Sequence, residues 1–308
     1  MTRMVFGDEK FAAVDDPSDA GVPGEGWPLE RVEEVVDPQR QSSEATTRLA
    51  EEWTGRAGAY ARGLAGVYGG AIGLVLDTIG ERVPLQGARL ADIGCGTGLL
   101  AAAAVERGAR VSAVDPAPDM RELARRAAPE AEVIDGTAPL LPLDEGSIDV
   151  TTGHLLLEHA GDPRGTLADL VRVTRPGGVV AVTIWAPDSA LGRLWSEVAA
   201  ESDAEPVRVR RMPEQFDFAR TGTGLASLLD GAGLERIDVH TVAWLAQVDA
   251  QDLWAAPAAG IGELGRLLAG QHAATVERAK RAYDRLTADR GELVCEAILA
   301  IGVRPRRE

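Results

Sequence analysis

The chain has 308 residues, 45% hydrophobic and 26% charged, with a net charge of −16 at pH 7. That length can bury a sizeable core and the composition is that of an ordinary globular protein. The acidic excess disfavours nucleic acid, whose phosphates need clustered Lys and Arg, and no uninterrupted apolar run approaches the roughly 20 residues of a membrane span.

In chain order, residues 1–43 form an acidic, Pro/Gly-rich arm (Asp15-Asp16-Pro17-Ser18-Asp19, Gly21-Val22-Pro23-Gly24). It is expected to be poorly ordered or to lie on the surface of the domain that follows. Its first residues have no long apolar core, so no secretory leader is supported and a soluble, cytoplasmic protein is expected. Residues 44–82 read as helices, and Trp53, Ala57 and Tyr60 recur at helical spacing as a packing stripe. Strands and helices then alternate. Strands are expected over 89–93, 110–114, 132–134, 147–151 and 179–185, with helices over 99–107, 118–128 and 162–173 between them. Such alternation predicts a doubly wound, mostly parallel α/β sheet with ligands at the carboxyl ends of its strands. The last third adds a helix over 221–231 and strands over 235–244 and 292–303. A helical insert, 249–290, separates those two strands.

The sharpest local signal is Leu90-Ala91-Asp92-Ile93-Gly94-Cys95-Gly96-Thr97-Gly98, where an apolar strand ends in an acid and runs into alternate glycines. A dinucleotide fingerprint places glycines at relative positions one, three and six. Here they fall at one, three and five, and Leu99 is bulky where the third dinucleotide glycine would pack. Asp92 suits a ligand bearing a cation better than a pyrophosphate. Asp115 ends the second strand, where a carboxylate can accept two hydrogen bonds from a ribose diol. Cys95 and Cys295 are the two cysteines, and their spacing suggests neither a disulfide framework nor a zinc site. No metal is expected.

The glycine-rich segment resembles the first motif of class I S-adenosylmethionine-dependent methyltransferases. Ala113-Val114-Asp115-Pro116-Ala117-Pro118-Asp119-Met120 and the Arg175-Pro176-Gly177-Gly178 turn are similar to the same family. The resemblance spans about residues 53–303, is specific over 89–185, and is closest to the small-molecule branch of quinone and natural-product enzymes. It implies a seven-stranded, Rossmann-like sheet with an antiparallel final strand pair, helical lid elements at 44–82 and 249–290, and S-adenosylmethionine as cofactor. The implied cofactor contacts are Tyr60, Asp92, Gly94, Cys95, Gly96, Asp115, Pro116, Met120, Thr137 and Ala138. One position departs from the pattern: the family's usual Gly-Asp-Ala reads Gly136-Thr137-Ala138 here. The adenine contact then falls to the Thr137 hydroxyl or to Asp135. His154 follows the fourth strand and is expected as the general base, ahead of His159. The implied reaction is methyl transfer to O, N or C of a small molecule, a secondary metabolite, without nucleic-acid or membrane partners. The alternative is a cyclase or isomerase that retains the cofactor on the same fold.

Overall fold

A computed structural model describes residues 29–32, 51, 53–187, 189–210, 217–288 and 291–306. Most of the N-terminal arm, and the start of the helical region expected from residue 44, lie outside the described residues. Within the arm, β1 (Leu29–Val32) pairs in parallel with β7 (Val207–Arg210) as a small two-stranded sheet.

The main sheet grows from short apolar runs, each ended by glycine or an acid. Its strands are β2 (Arg89–Ile93), β3 (Arg110–Asp115), β4 (Glu132–Asp135), β5 (Ile148–Gly153), β6 (Thr174–Trp185), β8 (Glu235–Gln247) and β9 (Glu292–Val303). Their order is β4-β3-β2-β5-β6-β9-β8. All adjacent pairs are parallel except β6–β9 and β8–β9, so β9 alone runs against the rest. The chain moves outward one way from β2 to β4 and the other way from β5, which makes the β2/β5 boundary the switch point where ligands bind in such sheets.

Helices cover both faces. α4 (Leu99–Glu106), α5 (Pro118–Ala127), α6 (Pro163–Val173) and α8 (Gly222–Gly231) follow strands or precede them as the alternation predicts. In β6, Val179 and Ala181 enter one core while Val180, Val182 and Ile184 enter the other. A strand buried on both faces reads as a continuous apolar run for this reason. β6 begins at Thr174 rather than Val179, because Thr174 already pairs with Ile148 before Arg175–Gly178 bulges out of register.

Above the strand ends lies a third cluster. The expected N-terminal helices are three, α1 (Ala57–Gly63), α2 (Ala65–Gly69) and α3 (Ile72–Gly80), broken at Leu64 and Gly70. The insert is four helices, α9 (Ala250–Leu253), α10 (Ala255–Ala258), α11 (Gly262–Ala269) and α12 (Ala273–Thr287). Together with α7 (Ala190–Glu201), which sequence patterning did not reveal, α1, α2 and the insert pack around Leu194, Val198, Leu267 and Tyr283, whereas α3 packs into the sheet core through Ile72, Val75, Leu76 and Ile79. The insert braces α1 closely: a Cβ on Gly63 would stand 2.8 Å from the Asp252 carbonyl oxygen. No single helix among the described residues is long and apolar enough to cross a membrane.

Candidate active site

The end of β2 turns sharply. Gly94, Gly96 and Gly98 all take positive φ (69°, 52° and 83°), which only glycine adopts without strain. The N–H groups of Gly94 and Cys95 both donate to the Val114 carbonyl, at 2.8 and 3.0 Å, pinning the loop to the end of β3. Gly98 meets the close-packing need that a dinucleotide fold gives to its sixth position. A Cβ there would lie 2.7 Å from Ala124 Cα, so α4 and α5 touch because nothing stands between them. Leu99, the residue that breaks the dinucleotide pattern, is 40% exposed.

Two acids sit behind this loop. Asp115 accepts from the N–H of Gly96 through Oδ2 and from that of Ala117 through Oδ1, both at 2.9 Å. Each oxygen retains a lone pair for a further donor. Burial raises its pKa to about 6 against the pull of those two amides. Asp92 is 2% exposed; its Oδ1 lies 3.2 Å from the Thr152 hydroxyl, while its Oδ2 is buried without a partner. Burial pushes this carboxyl up to about 7, and the neighbouring Asp115 charge adds to the rise.

The loop and acids open onto a cleft of about 730 Å³, counted with the solvent at its mouth. It is lined by Gly94, Gly96, Asp115, Pro116, Met120, Thr137, Ala138 and His154 among the expected residues. Asp92 and Cys95 line an adjoining lobe, and Tyr60 borders both. Asp135 does not line either lobe: it is paired with Arg121, at 2.9 and 3.0 Å, on the surface. Of the two alternatives for the adenine end, Thr137 is the one at the cleft.

His154 is placed differently from the expectation of a general base. Its Nε2 donates to the Tyr68 carbonyl at 3.0 Å, so its Nδ1 is the unprotonated nitrogen, and it accepts from the Thr183 hydroxyl at 2.8 Å. Thr183 in turn accepts the N–H of Leu155 at 2.8 Å. Both ring nitrogens are spent inside the protein, and burial lowers the ring's pKa further. The imidazole ties α2 to β6 and turns no lone pair to the cleft.

Trp53, Tyr68 and His159, outside the expected contacts, complete the walls with Tyr60. Trp53 and Tyr60 meet edge to face at 5.7 Å, Tyr60 and Tyr68 at 5.7 Å, and Trp53 and His159 at 5.3 Å. The available signals were the aromatic spacing across 53–68 and a lone hydroxyl residue, Thr183, inside an apolar strand. Among the described residues no cluster of His, Cys, Asp or Glu is arranged to hold a metal.

A ligand that bears a cation, a diol and a flat base fits these residues: the orphaned Asp92 oxygen, the spare lone pairs of Asp115, and the open face of Gly96, where an added Cβ would meet nothing nearer than Tyr60 at 3.9 Å. Fold and site together define a nucleoside-cofactor α/β protein in which the glycine loop and two strand-end acids face one cleft. Comparison with known proteins makes the class specific. Residues 91–182 match the family described as a methyltransferase domain. The chain is 37% identical over 146 residues to an uncharacterized methyltransferase of Mycobacterium tuberculosis, covering 46% of this chain and 58% of that one. It is 36% identical over 174 residues to a ubiquinone biosynthesis O-methyltransferase of Xylella fastidiosa, covering 53% of this chain and 68% of that one. A solved S-adenosylmethionine-dependent methyltransferase from Thermotoga maritima aligns at 20% identity with a TM-score of 0.49, over 83% of this chain and 99% of that one. The chain belongs to the class I S-adenosylmethionine-dependent methyltransferase family. It spans 58% of the length of the mycobacterial relative.

Proposed function

We propose that this protein transfers the methyl group of S-adenosylmethionine to a nucleophilic oxygen, nitrogen or carbon of a small molecule. The observation that carries the proposal is the buried, unpartnered Oδ2 of Asp92 beside a glycine loop whose backbone is open to the cleft. An unpaired buried carboxylate oxygen is costly, and a ligand ammonium relieves it. In this reading Asp92 takes the cofactor's ammonium, Asp115 its ribose hydroxyls, and Met120, Thr137 and Ala138 flank its base. When bound, S-adenosylmethionine supplies an activated methyl on a sulfonium.

The protein's own contribution is then chiefly placement. Holding two reactants in line is worth on the order of 7–11 kcal/mol at best. His154 contributes by holding Tyr68 over the cleft through its Nε2 bond and is assigned a positioning part. Among the described residues no Lys or Arg lines either lobe, and Trp53, Tyr60, Tyr68 and His159 frame the first. That lining supports an uncharged or cationic acceptor over a carboxylate or phosphate. The secondary-metabolite class implied by the resemblance is part of the same proposal.

The test is calorimetry with S-adenosylhomocysteine. The wild-type chain is expected to bind it, and Asp115→Ala is expected to abolish measurable binding. Unchanged affinity in that variant refutes the ribose assignment. Release of S-adenosylhomocysteine with candidate acceptors then separates methyl transfer from a cyclisation that keeps the cofactor intact.

A further inference from the structure

We infer that Asp119 is a positioning residue that latches a strap, residues 53–57, over the cofactor cleft. The inference rests on the cofactor reading above. α1 begins at Ala57, and its N-cap, Arg56, supplies no side-chain cap. The first amides of a helix have no partner within it, so something else must accept them. Here the acceptor comes from another element: Asp119, in the first turn of α5, takes the N–H of Gly55 at 2.9 Å and that of Ala57 at 3.1 Å on a single oxygen, Oδ2. Its Oδ1 is buried with no partner. The carboxylate therefore crosses from the cofactor-binding half to cap a helix of the covering half.

What that cap holds down is the roof of the cleft. Trp53 and Tyr60 flank the capped turn, and Ala57 packs on Ala117 and Met120 directly below. The Trp53 ring reaches across to His159, at 5.3 Å, and so meets the loop after β5 on the far side. The opposite end of α1 is immobilised by the close approach of Gly63 to Asp252 and Ala256. Movement of the roof is thereby confined to the first turn, which is the turn that Asp119 caps. A ligand seated on Gly94, Gly96 and Asp115 lies under this roof, and parting Trp53 from His159 widens its exit.

Dissociation of tritiated S-adenosylhomocysteine from the full-length chain tests the latch. Asp119→Ala is expected to raise the off-rate tenfold or more, while Asp119→Asn, which keeps one carbonyl oxygen for the two amides, stays within about threefold of wild type. In ligand-free protein, tryptic cleavage after Arg56 is expected to accelerate in Asp119→Ala. Wild-type rates of both dissociation and cleavage in Asp119→Ala overturn the inference, as does an asparagine variant as impaired as the alanine one. If Asp119→Ala does not fold, Trp53→Ala removes the closing ring and leaves the cap. A raised off-rate is expected there, and an unchanged one refutes the latch. Should wild type bind no S-adenosylhomocysteine, the cofactor reading fails, and equal Arg56 cleavage with and without Asp119 refutes the latch independently.

Discussion

Asp92 and Asp115 shape how this site responds to pH. Both carboxyls are raised by burial, to about 7 and about 6, so the folded, ligand-free chain holds protons that the unfolded chain has already released. Between the ordinary carboxylate value near 4 and those raised values, the stability they contribute falls as pH rises. A bound ammonium reverses this by favouring the ionised acid. Affinity for S-adenosylhomocysteine is therefore expected to strengthen from pH 5.5 to pH 8. Binding at pH 6 should release protons, measurable by calorimetry in two buffers of different ionisation enthalpy, and Asp92→Asn should remove the part of that release centred near pH 7. Tyr60 and Cys95 face the same acids, and burial holds both above their ordinary values, so they stay protonated through this range. At this scale the residues that gather at the cleft were largely legible, because glycine spacing and strand-end acids are local in sequence. Thr183 and Asp119 were not. Each acts on a backbone or ring brought to it from a distant element, as the 64-residue separation of Asp119 from Gly55 illustrates.

Among the elements, the contact of α4 with α5 depends on the missing side chain of Gly98. An alanine there faces two penalties: a left-handed φ of 83° and a Cβ 2.7 Å from backbone. The first costs about 1–2 kcal/mol and the second about 1–3 kcal/mol. Gly98→Ala is expected to lower stability by roughly 2–5 kcal/mol in urea denaturation. Gly94→Ala carries the same backbone penalty, but its Cβ would meet only the end of the Leu156 side chain, which can turn aside. Helix and strand positions between 89 and 185 followed from apolar runs and from breakers such as Pro118, Asp162 and the Arg175–Gly178 turn. Two features of these elements escaped. The helices of 57–80 are separate, and a 60° bend at the break after Gly63 leaves Tyr60 and Tyr68 in edge-to-face contact, a tertiary arrangement with no local signature. α7 has ordinary amphipathic spacing but no strand-end acid or glycine motif beside it.

Across the whole molecule, Tyr283 sits in a cluster distinct from the two that flank the sheet, which Ala246, Leu293 and Cys295 of the last two strands also join. Tyr283 is fully buried in the cover, stacked on Trp195 and tilted against Trp254, with its hydroxyl donating to the Ala250 carbonyl at 2.6 Å. Tyr283→Ala is expected to cost about 3–5 kcal/mol in thermal or chemical unfolding. Because Tyr283 lines neither lobe, affinity for S-adenosylhomocysteine at a temperature where the variant is folded should remain near wild type. The sheet's class was readable from strand–helix alternation. The pairing of β1 with β7 was not, since two four-residue strands far apart in sequence carry no local signature of each other. The place of β9 in the sheet has a further consequence, during synthesis. β6, buried along its Val179–Ile184 run, receives its second neighbour only when β9 has been made, after β8 and the four helices of the insert. Until then one hydrogen-bonding edge of the central sheet stands open to other chains. The nascent protein is thus most vulnerable to aggregation late in translation, when nearly all of its cofactor site has already been synthesised.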